Sequence, residues 1–211
     1  MMAKNFWMYI SWDDDKSMED GALAFTERLD YLKDQNKVNY NKIEAISPKY
    51  IQKVRKHISC FDDFYIAGDC ARGVNFIGSK DGKKMTAHQL AQQMVACLPK
   101  DHREIHIWAC YSGHGMEGVI AGKKIGLAYE FWKEMHNIGY NELTVYGYRF
   151  AVLDPFNALQ IDLQTGDLLS GFESYSQTPE LFKPLPGNPS HWMTGLSPQG
   201  KVIAPAPLPR R

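Results

Sequence analysis

At 211 residues, with 44% apolar and 12% aromatic content, the chain is long enough to bury a full core and does not read as a disordered segment. Twenty-four basic residues balance 24 acidic ones. The formal net charge of zero excludes a global field that would gather the chain onto nucleic acid or an anionic membrane, so only local patches remain for such roles.

The opening stretch, MMAKNFWMYISWDDD, has one lysine, a mostly apolar run and then an acidic cluster. A secretory leader needs a longer apolar core and a small-residue cleavage site, so Phe6 to Ile10 reads as a strand. No run approaches the roughly 18 apolar residues that span a bilayer. The chain is therefore expected to be cytoplasmic as synthesised, with any export or injection by a leaderless route. Ser17 with Asp20 three residues on reads as a helix start, with Ala22, Phe25, Leu29 and Leu32 on one face. Asn41 to Ile46 is a second strand. Pro48 suits the first turn of a helix running to about Ile58, and Phe64 to Ala67 is a third strand closing on Gly68.

Val74 to Ile77 reads as a small strand turning at Lys80-Asp81-Gly82. Thr86 and Gln89 form a capping box, after which Ala87, Leu90, Ala91, Met94 and Leu98 mark the buried face of a helix that Pro99 ends. Ile105 to Ala109 is the fourth main strand. A long helix from about Glu117 to Ile138, stopped by Gly139, precedes a fifth strand from Leu143 to Tyr148. Strand and helix alternating in this way predict an α/β fold: a three-layer sandwich with a mainly parallel sheet and helices on both faces. Residues 1–150 form this domain. Residues 151–211 are expected to add a hairpin around Thr165-Gly166-Asp167 and a Pro-rich extension, packed on the domain or trailing from it, since eight of the 11 prolines lie between Pro179 and Pro209.

Four cysteines, Cys60, Cys70, Cys97 and Cys110, form no CxxC pair and read as reduced thiols. Cys60, Cys70, Cys110 and His114 match no zinc spacing, and no metal is expected. Gly68, Gly73 and Gly78 lack the strand-to-helix context of a phosphate-cradling loop.

Two segments carry the chemistry: DDFYIAGDCARG, from Asp62 to Gly73, and REIHIWACYSGHG, from Arg103 to Gly115. Each is an apolar run ending in small, polar or reactive residues, the pattern of a buried strand whose carboxyl end feeds a crevice. The later segment delivers Cys110, and Tyr111-Ser112-Gly113 gives a tight exit whose N–H groups suit an oxyanion. The other reading of Cys110 is a buried structural thiol.

A strand with a small-residue exit, a capped helix, and a strand ending in Ala-Cys before Ser-Gly together resemble the caspase-like cysteine peptidases of clan CD. Ala109-Cys110-Tyr111-Ser112-Gly113 is similar to the legumain nucleophile segment. Tyr65-Ile66-Ala67-Gly68-Asp69-Cys70 is similar to the base segment, best matched by bacterial effectors and the cysteine protease domains of RTX toxins. The resemblance covers about Phe6 to Tyr148. It implies Cys110 as nucleophile, backbone donors around Gly68, Cys70 and Gly113 for the oxyanion, and a protein or peptide substrate, the chain itself included. It also puts Asp69 where the catalytic histidine belongs.

That departure changes the chemistry. A histidine of pKa near ~6.5 shuttles protons at neutral pH and, when charged, favours a neighbouring thiolate. An aspartate of pKa near ~3.9 is already ionised and opposes the ionisation of a thiol of pKa about 8.5. At about 4 Å and an effective dielectric of about 20 the repulsion is on the order of 4 kcal/mol. His114 would need an unusual turn to reach back to Cys110. His106 lies inside a strand, His88 on the solvent side of a helix, and His57, His102, His136 and His191 read as surface or packing residues.

The expectation is a cysteine endopeptidase scaffold that is inactive or strongly impaired, either a natural pseudopeptidase that binds peptides or a variant of an active enzyme. A thiol-dependent acyl transferase is the third reading. Asp13, Asp14 and Asp15 follow the first strand at the edge that holds Cys110. They either select a basic substrate side chain, as the resemblance implies, or meet the positive end of the next helix. No cofactor is required. The toxin relatives' inositol phosphate activation would call on a basic patch, for which Lys80, Lys83, Lys84, Arg103, Lys123 and Lys124 are the candidates, the alternative being a solvated charged face.

Overall fold

The structure, a computed structural model, describes residues 4–34, 39–71, 73–113, 126–148, 160–161, 168–169 and 193–203. Its elements alternate as the periodicities predict. Strand β1 (Lys4–Ile10) leads to helix α1 (Lys16–Asp34) and strand β2 (Tyr40–Ile46). A helical connection follows, with α2 (Ile51–Val54) flanked by 3-10 turns at Pro48–Tyr50 and Arg55–His57. Strand β3 (Asp63–Ala67) precedes the hairpin of β4 (Phe76–Gly78) and β5 (Lys84–Thr86), then helix α3 (Ala87–Cys97) and strand β6 (Glu104–Trp108). Helix α4 (Leu127–Asn137) and strand β7 (Thr144–Tyr148) complete the repeating pattern. The predicted helix residues 117–125 lie outside the described residues, as do His114, His191, Lys123, Lys124 and most of the proline-rich tail.

The sheet has seven strands in the order β11-β10-β7-β6-β3-β1-β2. Strands β2, β1, β3, β6 and β7 are mutually parallel. Both faces are covered. Phe6, Met8 and Ile10 of β1 point to α1, where they meet Met18, Ala22, Phe25 and Leu29. Trp7 and Tyr9, on the alternate positions, join Phe64, Ile66, Ile105 and Ile107 beneath α2, α3 and α4. The period of two along β1 thus supplies both layers of core from one strand. The chain is an α/β three-layer protein with a mainly parallel sheet.

The C-terminal segment does more than trail. Strands β8 (Gln160–Ile161) and β9 (Leu168–Leu169) pair antiparallel on either side of the predicted turn. Strand β10 (Met193–Leu196) pairs antiparallel with β7, and β11 (Val202–Ile203) with β10. Leu196 is wholly buried in the main core and the Trp132 indole N–H donates to the Ser197 carbonyl at 3.1 Å. The sheet thus continues past residue 150.

One helix start differs from expectation. Helix α1 begins at Lys16, and its cap is Asp15, whose Oδ1 accepts the Met18 N–H at 3.1 Å, two residues ahead of the predicted Ser17. The α3 capping box of Thr86 and Gln89 forms as predicted.

Candidate functional site

The site is built from the register of β3 against β6. Ala67 lies beside Trp108, and the Gly68 amide donates to the Trp108 carbonyl at 3.3 Å. Asp69 and Cys110 each stand two residues past that matched pair, at the carboxyl edge of neighbouring parallel strands. The strand order reverses direction of growth between β1 and β3, which puts the topological switch point of the sheet one strand pair away, on the other side of β3.

Asp69 is held by its backbone. It forms a bridge with Gly78, with the Asp69 N–H donating to the Gly78 carbonyl at 3.0 Å and the return bond at 2.6 Å. The β4–β5 hairpin is thereby fastened to the tip of β3. Gly68 must be glycine here, because a Cβ would fall 2.4 Å from the Ile77 side chain. The Asp69 residue is exposed and Cys70 is half-buried. Burial pushes the Cys70 thiol up to about 12, with Cys110 and Asp69 adding to the shift and a backbone hydrogen bond from Ala71 opposing it.

The exit from β6 is shaped by one serine. The buried Ser112 hydroxyl donates to the Ile107 carbonyl at 2.8 Å and accepts the Tyr148 N–H at 3.0 Å. The Gly113 N–H donates to the Tyr148 carbonyl at 2.8 Å, and the Ser112 carbonyl receives the Ala128 N–H at the start of α4. Between these anchors Tyr111 takes φ of +54°, a left-handed conformation that costs a non-glycine residue about 1 kcal/mol or more. The turn therefore bends the chain sharply just after Cys110, which is half-buried and carries a thiol rather than a disulfide.

Two predicted oxyanion donors are engaged elsewhere. The Gly68 and Gly113 amides bond to Trp108 and Tyr148 carbonyls, which leaves the Cys70 amide as the candidate of the three. The described histidines lie on other elements. His57 lies in an exposed 3-10 turn, His88 is exposed and bonded to Glu134 on α4, and His102 and His106 are buried. His136 is on α4, its Nδ1 against the Trp132 carbonyl at 3.0 Å. His106 stacks between Tyr65 and Tyr146, with ring centroids 4.4 and 4.8 Å away, on the face shared with α1.

The acidic cluster has structural partners. Asp13 accepts the Lys49 N–H at 2.8 Å, Asp14 pairs with Lys83, and the buried Asp15 caps α1 while accepting the Lys80 N–H at 3.4 Å. Lys83 holds the Asp14 carboxyl below the usual carboxylate range. The loop after β1 is in this way tied to the β4–β5 hairpin, and both lie at the carboxyl edge of the sheet. Of the described basic candidates, Lys80, Lys83 and Lys84 belong to the β4–β5 hairpin and Arg103 lies apart from them. Lys80 donates to Ser17 at 2.6 Å and the Lys84 ammonium sits 4.8 Å over Phe76, whereas Arg103 precedes β6, at the opposite end of the strand from Cys110.

Among the described residues, no group of three or more His, Cys, Asp or Glu side chains could hold a metal ion. No helix among them is long and apolar enough to cross a membrane. The residues that sequence reasoning overlooked are Ser112 as the anchor of the turn and Ile77 as the reason for Gly68. No family model matches this chain, and no curated protein does.

Proposed function

We propose that this chain is a caspase-like cysteine peptidase scaffold of the bacterial effector or toxin type, with Cys110 at the nucleophile position and activity absent or strongly impaired because Asp69 occupies the base position. The observation that carries the reading is the β3–β6 register, which sets Asp69 and Cys110 level at the carboxyl edge beside a strained turn. In such a site the cysteine sulfur attacks the carbonyl carbon, the oxyanion is received by backbone N–H groups, and the thiol proton passes to a base and on to the leaving amine. The Cys70 amide suits the second of these tasks. Asp69 does not suit the third, since a carboxylate beside the thiol opposes the ionisation that attack requires.

A peptide-binding pseudopeptidase is the second reading, favoured by the same carboxylate. The open position of Asp69 argues against an acyl transferase, which needs water excluded from its acyl-enzyme.

Asp69→His decides between them. A disabled peptidase gains cleavage of a peptide library or of its own chain, together with rapid labelling of Cys110 by a thiol-directed electrophile, at least about tenfold over the parent. A binding module gains neither and still retains peptides on a Cys110→Ala column. Rapid labelling of Cys110 in the unaltered chain at neutral pH would contradict the impaired state.

A further inference from the structure

We infer that the helical connection between β2 and β3 is a docking face for an anionic lipid surface, with Lys49, Lys53 and Lys56 as its charged stripe and Tyr50 at its rim. From Ser47 to Cys60 the sequence holds four Lys and Arg residues and no Asp or Glu. Ile51, Val54 and Ile58 of this stretch are buried in the main core. Lys49, Lys53 and Lys56, spaced at i, i+4 and i+7, are exposed on the other side.

Five lysines elsewhere pair with carboxylates, Lys4 with Asp63, Lys16 with Asp20, Lys42 with Glu44, Lys83 with Asp14 and Lys133 with Glu130, while Lys33 and Lys100 donate to backbone carbonyls, Lys80 donates to Ser17 and Lys84 lies over Phe76. Among the described residues, Lys49, Lys53 and Lys56 take part in no ion pair. Asp13, which accepts the Lys49 N–H, stands at the margin of the stripe and reduces the attraction there. Because the whole chain is neutral, the pull on an anion is local to this stripe and falls off within a Debye length.

The aromatic residues select lipid over nucleic acid. Tyr50 is 44% exposed, but the Lys49 and Lys53 ammonium groups lie 5.0 and 5.4 Å from its ring centroid. The connection ends at Phe61, 60% exposed, under the Arg103 guanidinium at 4.6 Å. Binding to single-stranded nucleic acid stacks bases on open ring faces along a groove. These faces are occupied by cations, and the stripe lies on a helical turn. A headgroup layer needs only ammonium groups on flexible apolar stems and aromatic edges beside them, which this surface offers.

The inference uses none of the cysteine chemistry, so its test reads binding alone. The full chain is sedimented with vesicles of phosphatidylcholine or of phosphatidylcholine with phosphatidylserine, at low and at physiological salt. Binding is expected only to the serine-containing vesicles, weakened by salt, and reduced about a hundredfold in a Lys49→Gln, Lys53→Gln, Lys56→Gln variant. Lys53→Gln alone, with about a fivefold loss, serves if the triple variant fails to fold. Equal binding to neutral vesicles, no binding at low salt, no effect of the substitutions, or tighter binding to single-stranded DNA than to the vesicles would each overturn it.

Discussion

The two edges of the sheet treat polar side chains in opposite ways. At the amino edge Asp62 is buried and accepts four bonds, from the Asn5 N–H at 2.9 Å, the Asn5 side-chain amide at 3.0 Å, the Trp7 indole at 2.8 Å and the Ser59 N–H at 2.9 Å. His102, with no exposure, sits between the Ser59 and Glu104 carbonyls at 3.1 and 2.9 Å. Asp63 pairs with Lys4 and accepts the Tyr40 hydroxyl. At the carboxyl edge Asp69 is exposed and Cys70 and Cys110 are half-buried, beside a turn in a costly backbone conformation. One edge uses polarity to secure the fold, and the other gives up local stability at the strand tips.

Four substitutions sharpen that contrast. The largest effect is expected from Asp62→Ala, which strands buried donors from three residues and should cost on the order of 3–5 kcal/mol in chemical denaturation. A loss below about 1 kcal/mol would show that water replaces the carboxylate. His102→Gln comes next, at about 2 kcal/mol, and carries a pH signature. Burial holds the His102 pKa below its ordinary value against the two carbonyl bonds. A depressed folded pKa means that the unfolded chain takes up protons first, so this contribution is complete above a pH of about 6.5 and declines as the pH falls. The melting temperature should therefore drop on acidification more steeply in the parent than in the variant.

Ser112→Ala should cost about 1–2 kcal/mol, since it leaves the buried Ile107 carbonyl and Tyr148 amide each short of a partner. Cysteine accessibility to a small alkylating reagent should rise with it, as the turn after Cys110 loosens. Asp69→Asn is expected to move stability least, within about 0.5 kcal/mol, because the residue is exposed and its bridge to Gly78 is made by backbone. Its effect belongs to chemistry: thiol labelling at the carboxyl edge should quicken once the charge is gone. Equal labelling rates before and after would separate the carboxylate from the thiols.

Much of this architecture was legible because local signals and burial agree. The apolar runs at Phe64–Ala67 and Ile105–Ala109 end in small residues, and the strands end there within a residue. Thr86 and Gln89 announce α3 because a capping box is a short-range device. Strand β10 was hidden, since Met193–Leu196 is brief, contains Gly195 and lies in proline-rich surroundings; only pairing with β7 makes it a strand. Asp15 was not singled out as the cap because Ser17, two residues on, carries the same kind of signal, and its neighbours Asp13 and Asp14 turn instead to Lys49 and Lys83 from distant parts of the chain. Ser112 was visible only as a small residue, because its two bonds depend on where β7 lies. The lysine stripe had a readable sign, the lack of any acid between Ser47 and Cys60, but its exposure is a property of packing.

Gly147 joins these observations in a way that reaches the chain terminus. A methyl group at that position would lie 2.6 Å from the Gly113 nitrogen and 2.8 Å from the Ala128 Cβ, so β7 and the turn behind Cys110 press against one another with no side chain between them. On its far side Gly147 is matched with Thr194 of β10. A strand from the last fifth of the sequence thus acts as a backstop for the cysteine turn, and cutting it away would slacken the seat of the sulfur without touching any residue that surrounds it.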